Sequence, residues 1–174
     1  MNTLIRIRKA ERHDADAVAR LWLQFLHEQA ALDPRFGVAG DALVRWRNDY
    51  PQWLRDRHRR LFVGELKGEI IGFVTAQWWS PPPVYAETTE VFVNELYVRP
   101  EARGQGAGGR LLAAVKAWAE ELGADRLRLA VLAANEAGQA FWQHHDARPF
   151  SVTMTMELEK KASAASRASR RIGF

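Results

Sequence analysis

Residues 95–112 read Glu95-Leu96-Tyr97-Val98-Arg99-Pro100-Glu101-Ala102-Arg103-Gly104-Gln105-Gly106-Ala107-Gly108-Gly109-Arg110-Leu111-Leu112. The stretch up to Val98 reads as the end of a strand that begins near Glu90. From position 107 onward Leu111, Leu112, Val115, Trp118, Ala119 and Leu122 return at helical spacing, with Gly123 as the stop. Between strand and helix, four glycines fall within six positions. Glycine permits positive φ and leaves no Cβ in the way of a bound group. A glycine-rich turn that opens straight into a helix therefore aims its amides into one concavity at the positive end of the helix dipole, a site for phosphate or pyrophosphate. Arg103 adds a positive charge at the rim. A tight turn alone needs fewer glycines, so anion binding is the reading carried forward.

Two nucleotide-binding readings are weaker. Gly104, Gly106 and Gly109 fit G-x-G-x-x-G, but a dinucleotide site also needs an acid at the end of the next strand. That strand ends Leu129-Ala130-Val131-Leu132, and Asp125 lies at its start instead. A phosphate-binding Walker loop needs a Gly-Lys-Ser/Thr that does not follow.

Outward from this segment the chain alternates strands and helices. Residues 4–8 read as a short strand. Asp14 or Asp16 can cap a helix that buries Val18, Leu21, Trp22, Phe25 and Leu26 on one face. Asp41 opens a second helix with Leu43, Trp46 and Tyr50 on one side, and Pro51 is expected to kink or end it. Residues 61–66 and 69–76 flank Lys67-Gly68 as a hairpin. After the loop at Pro81 to Pro83 come the strand from Glu90, the glycine turn, the helix, a strand over 126–132, and a shorter helix capped by Asn135. Last, Phe150, Val152, Met154, Met156 and Leu158 alternate with polar residues as in a half-buried strand. The class is α/β, a central mixed sheet with helices on both faces.

Composition narrows the function. The 174 residues are 47% hydrophobic and 26% charged, enough for one domain with a packed core. There is no cysteine, which excludes disulfides, thiolate metal sites and cysteine nucleophiles and is consistent with a cytoplasmic setting. The five histidines lack ligand spacing, so no metal is expected. No apolar run approaches a membrane span. The formal charge of +4 sits wholly in residues 159–174, with five basic residues and one acidic, while residues 1–158 carry twenty of each sign. We therefore expect a domain over 1–158 and a basic, solvated tail over 159–174, and nucleic acid is not the expected partner. The basic run Arg55 to Arg60 likewise reads as a solvated helix end, and His144-His145 as surface.

Residues 96–108 closely resemble the acetyl-CoA-binding motif of the GNAT superfamily of N-acetyltransferases, R/Q-x-x-G-x-G/A after a bulged strand. Asn135-Glu136-Ala137 followed by Phe141-Trp142 is similar to that family's later segment. The order of strands and helices agrees over residues 5–158. The resemblance implies transfer of acetyl from acetyl-CoA to a primary amine by direct attack in a ternary complex. It implies that the strands over 90–98 and 126–132 splay apart around the pantetheine arm. Pyrophosphate would rest on amides of Arg103, Gly104, Gln105, Gly106, Ala107 and Gly108, with Gly109 alongside. Leu96 and Tyr97 would flank the arm, and the Val98 amide would donate to the thioester carbonyl. Asn135 would meet the pantetheine, although a helix cap accounts for it equally well.

For acid–base chemistry, Glu95 is the first candidate for the base and Glu90 the second. Simple alternation puts Glu90, Phe92 and Asn94 on one face and Glu95 with Tyr97 on the other, and a bulge near Glu95 would shift that phase. The family's tyrosine acid is replaced by Trp142, which leaves Tyr97, Tyr85 or water as the acid, or a thiolate that departs unassisted. The acceptor is expected to be a small amine, met by Trp78, Tyr85, Glu87, Phe92 and Asn94, an aromatic and acidic wall suited to a cation. A protein N-terminus or lysine is the alternative acceptor, and an acetyl-CoA-binding module without turnover is the alternative class. Homodimers are common in the family, but no residue pattern here marks an interface.

Overall fold

The computed structural model describes residues 4–82, 84–85 and 88–158. Alternation along the strands feeds two apolar layers, one on each face of a five-stranded sheet. The strands are β1 (Arg6–Lys9), β2 (Arg59–Leu66), β3 (Glu69–Trp79), β4 (Glu90–Val98) and β5 (Arg126–Leu129), and they lie side by side in that order. The first four are antiparallel and β5 runs parallel to β4. On one face α3 (Ala107–Glu121) presses Leu111, Val115 and Trp118 onto Ile71, Val74, Val91 and Val93. On the other, α1 (Ala15–Leu32) and α2 (Ala42–Arg55) bring Val18, Leu21 and Tyr50 onto Val63, Phe73 and Tyr97. A shorter helix, α4 (Glu136–His144), follows β5.

Local chemistry sets the element ends. Gly106 stands at the N-cap of α3 with φ +81°, and Gly104 has φ +76°, conformations a side chain disfavours. Asp14 precedes α1 but does not cap it. Its carboxylate accepts from Arg8 at 2.7 and 2.8 Å and from the Glu11 amide at 2.8 Å, tying β1 to the start of the helix. Burial is the largest single influence and would raise the Asp14 pKa, but the bonds from Arg8 and the Glu11 amide together with the nearby positive charge outweigh it and hold the carboxyl below its ordinary value.

Two expectations need correction, and one of the two outcomes expected at Pro51 is excluded. Pro51 does not end α2, which continues to Arg55. Buried Tyr50, whose hydroxyl donates to the Glu11 carbonyl at 2.6 Å, and Leu54 anchor the helix on both sides of the proline. The strand over 126–132 stops at Leu129, because β4 has turned away and offers no further ladder. Residues 150–158 form no strand. Their five apolar side chains are 69–87% exposed, and among the described residues nothing pairs with the outer edge of β5. Residues 159–174 lie outside the described residues.

Candidate active site

The site starts at a bulge. Thr75 pairs with Glu95 and Ala76 with Val93, so Asn94 is the extra residue on β4. The bulge flips the phase of the strand. Val91 and Val93 face the α3 side, whereas Glu95 and Tyr97 both face α1. Simple alternation is thus overturned, and Glu90 and Phe92 share the face of Glu95. The bulge also ends the ladder to β5, whose last pair is Val93 with Leu129. Beyond it the two strands diverge and leave a cleft of about 580 Å³.

One wall of the cleft is residues 93–98, the other Leu129 to Val131, and its floor is the loop and first turn of α3. The Arg99 amide donates to the Ile71 carbonyl at 2.9 Å. Strand alternation then turns the Leu96 and Val98 amides away from β3, toward the gap. Extra Cβ atoms at Gly104 and Gly106 would meet nothing within 4 Å, so space lies open above the loop. Gly108 and Gly109 serve a different end. A Cβ there would come within 3.0 Å of Phe141 and 3.2 Å of His145, so these two glycines let α4 pack closely on α3. The glycine richness therefore has two causes, a positive-φ turn and a close helix crossing.

Arg103 does not point at the open loop. Its Nε donates to the Val98 carbonyl at 2.8 Å and its Nη2 to both oxygens of Glu28 at 2.8 and 3.0 Å, with the guanidinium over the Tyr97 ring. The Tyr97 hydroxyl donates to the same Glu28 carboxylate at 2.6 Å. Burial, then that bond to Glu28, pushes the Tyr97 pKa well above the ordinary phenol value. Glu95 lies farther along the same face, where Oε1 accepts from Trp22 Nε1 at 2.9 Å and Oε2 from Thr75 Oγ1 at 2.6 Å. Each oxygen keeps a lone pair for a further donor in the cleft.

The cleft gathers Leu96, Tyr97, Val98, Arg103, Gly104, Gly106, Ala107, Gly108, Gly109 and Asn135, together with Glu95 and Asn94. Gln105 is not among its lining residues and is exposed. Asn135 caps α4 by accepting from the Gly138 amide at 2.8 Å, and it also lines the cleft. Glu90 is separated from the cleft. It is fully buried between Arg126 and Arg128 at 2.6 and 2.7 Å, an ion triad that clamps β5 to β4. Phe92 lies where β4 is still laddered on both sides, so no gap opens beside it. Trp78 packs edge-on to His58 at the far end of β3, and Tyr85 is 67% exposed; neither lines the cleft. Glu87 lies outside the described residues.

Further lining residues come from the two flanking helices, and of these only Phe141 and Trp142 carry a sequence signal for the site. Phe25, Glu28 and Gln29 come from α1, and Phe141, Trp142, His144 and His145 from α4. The sequence reads His144-His145 as surface, whereas both line the cleft; the pattern Phe141-Trp142 is the signal for that wall. The basic run from Arg55 to Arg60 lines a separate cavity of about 320 Å³ at the opposite end of the sheet. Among the described residues no cluster of three potential metal ligands occurs, and no helix is long and apolar enough to cross a membrane.

Comparison with known proteins bears on this geometry. The sequence pattern described as "Acetyltransferase (GNAT) family" matches residues 20–146. An uncharacterized N-acetyltransferase of Archaeoglobus fulgidus is 28% identical over 149 residues, covering 83% of this chain and 93% of that protein. The BH1408 protein of Bacillus halodurans superposes with TM-score 0.81 at 20% identity, covering 88% of this chain and 99% of that one. The aminoglycoside N-acetyltransferase AAC(6')-Iy, solved in complex with CoA, superposes with TM-score 0.66 at 22% identity, covering 92% and 97%. At these identities the two structures speak for the fold alone.

Proposed function

The chain belongs to the GNAT family of acetyltransferases, with acetyl-CoA as co-substrate, and from that premise we propose that it acetylates a small cationic primary amine by direct attack within the cleft. The observation that carries the reading is the continuity of this cleft. It runs from an open positive-φ glycine loop, past amides that face a gap between two diverging strands, to a carboxylate at its α1 side.

The residues present fit the co-substrate. The open loop at Gly104 and Gly106 and the first amides of α3 receive pyrophosphate at the helix N-terminus. The gap edges supply backbone groups for an extended arm, as a sheet edge does for a strand. Acetyl-CoA brings an activated acetyl thioester. The Val98 amide, turned into the gap, stabilises the negative charge that develops on the carbonyl oxygen as the amine attacks. Glu95 takes the proton from the amine, directly or through one water, while Thr75 and Trp22 hold its carboxylate in place. Tyr97 keeps its proton, because its acidity is suppressed and its hydroxyl is committed to Glu28. It acts by positioning Glu28 and Arg103, and the thiolate leaves without it.

The acceptor enters beside Phe25, Glu28, Gln29 and Asn94. Glu28 is already neutralised by Arg103, which leaves Glu95 as the carboxylate that draws an ammonium into an apolar-walled cleft. The aminoglycoside N-acetyltransferase among the similar folds acts on a compound of this class, which supports the choice of a small amine. The lack of cysteine supports a cytoplasmic setting and leaves no thiol for an acyl-enzyme.

Initial-rate kinetics over an amine panel that includes a peptide N-terminus, with intact-protein mass spectrometry, test the proposal. Intersecting reciprocal plots with a small polyamine or aminoglycoside, and an unmodified protein mass after incubation with acetyl-CoA alone, are expected. Parallel plots with an acetylated protein would overturn direct transfer. Turnover with the peptide alone would overturn the small-amine acceptor.

A further inference from the structure

The second cavity, of about 320 Å³, lies where β1 ends, α2 stops and β2 begins. Five of its lining side chains are basic, Lys9, Arg55, Arg57, Arg59 and Arg60, and the one acid among them is Asp56. Residues 1–158 carry twenty charges of each sign, so these five are a local concentration and not a share of a general excess. The cavity is also remote from the glycine loop. Arg59 pairs with Gln77 and Gln77 with Phe92, near the start of β4, whereas the loop follows the end of that strand.

Two of the five cations build the wall. Arg60 Nη1 donates to the carbonyls of Asp56, Arg57 and Arg59 at 3.4, 3.2 and 2.7 Å, so it holds the turn between α2 and β2, and its guanidinium lies over the Trp118 ring. Arg59 lies over the Trp53 ring and bridges Asp56 at 3.4 Å and Asp49 at 3.9 Å. Lys9, Arg55 and Arg57 are exposed and join no ion pair among the described residues. Basic residues at a helix end ordinarily compensate the carbonyls of its last turn. Here those carbonyls already have partners. Arg55 Nε donates to Pro51 at 3.1 Å, the Asp56 amide to Gln52 at 3.0 Å, and Arg60 covers the two that follow. With both acids drawn to Arg59, three positive charges remain around one concavity.

We propose that this cavity binds a phosphoryl group, free or carried on a small ester, at a site separate from the acetyl-CoA loop. A phosphoryl monoester carries a charge of about −2 and three strong acceptor oxygens, which suits three cations better than a single carboxylate does. Guanidinium forks and an ammonium supply the donors, and basic walls around a concavity raise the local potential. Trp53 and Leu54 add apolar lining for the organic part of an ester. A single strand of nucleic acid calls for a basic groove that tracks its backbone. The charge here is gathered in one pocket on an otherwise balanced body, which favours the small anion.

Inorganic diphosphate is the probe, titrated at low salt into the chain saturated with CoA, so that the glycine loop is filled. One further molecule should bind, and more weakly as salt rises. In nitrogen-15 spectra it should move the Trp53 indole, the Arg60 Nε and the amides of residues 9–10 and 55–60, and leave residues 103–109 in place. Lys9→Ala combined with Arg57→Ala removes two exposed side chains that make no hydrogen bond among the described residues. That variant should keep its melting temperature and bind diphosphate at least about tenfold more weakly. A phosphorylated sugar should reproduce the shifts, and a single-stranded oligonucleotide should bind no tighter than diphosphate. No binding at low salt, affinity that the double substitution leaves intact, or shifts confined to residues 103–109 or 159–174 would overturn the proposal. So would an oligonucleotide that moves the cavity's resonances where diphosphate does not, which would assign the cavity to nucleic acid.

Discussion

Gly106 allows the backbone strain of the loop to be separated from its charge. Both Gly106→Gln and Gly106→Glu place a side chain at φ +81°, which costs about 1–2 kcal/mol. For a chain of this size that lowers the melting temperature by roughly 2–8 °C. A Cβ at this position meets nothing within 4 Å, so neither variant clashes with the protein itself. The two differ only in charge, and the Glu side chain reaches the space assigned to pyrophosphate. At roughly 5 Å and an effective dielectric constant near 30, one added negative charge costs about 2 kcal/mol against one phosphate charge, or about 30-fold in affinity. Titration calorimetry with acetyl-CoA should therefore show Gly106→Glu binding at least tenfold more weakly than Gly106→Gln, with the gap narrowing as salt rises. Equal affinities for the two variants, with similar melting temperatures, would refute the placement of an anion on this loop.

Replacing Glu95 with Gln should lower kcat by about 10²-fold or more, with acetyl-CoA affinity nearly unchanged, as read from a pH–rate profile and a titration. Tyr97→Phe should keep kcat within about tenfold of the parent, because its proton is not used; a loss as large as that of Glu95→Gln would restore it as the acid. Asp14→Asn should destabilise the fold by about 1–3 kcal/mol, since it weakens the paired bonds from Arg8 to a group that is 3% exposed and leaves Glu65 as the guanidinium's remaining carboxylate partner. The Asp14 pKa is lowered in the folded state, so its stabilisation is present above the unfolded value near 3.9 and is lost as pH falls through the folded value. Acid titration of thermal stability should then show a fall below about pH 4 that the Asn variant lacks.

Much of this fold is written locally. The strand, glycine turn and helix over 90–121 follow from alternation, positive-φ glycines and helical spacing, and each of those signals lies within a few residues. A bulge near Glu95 and a shift of phase are legible in the sequence, but the facing is not: only the structure shows that the extra residue is Asn94 and that Glu95 and Tyr97 lie on the α1 face. Glu28 escaped because a glutamate on a helix reads as solvated. Only the meeting of α1 with the loop shows that it holds Tyr97 and Arg103. Trp78 and Tyr85 read as an acceptor wall because aromatics around a loop resemble a pocket; Trp78 packs on His58 near the end of β3, Tyr85 is exposed in the loop that follows, and neither lines the cleft. Residues 150–158 show the limit most sharply. Their alternation reads as a strand with one buried face, whereas the fold gives the segment no ladder and leaves all five apolar side chains exposed.

Since the chain contains no cysteine, every thiol that appears during a reaction comes from CoA. The most direct measurement is thiol release from acetyl-CoA with a small cationic amine, paired with mass detection of the acetylated amine. Equal amounts of thiol and acetylated amine, both dependent on the protein and on the amine, are expected. No thiol release with any amine, or release without acetylated product, would contradict amine acetylation in this cleft.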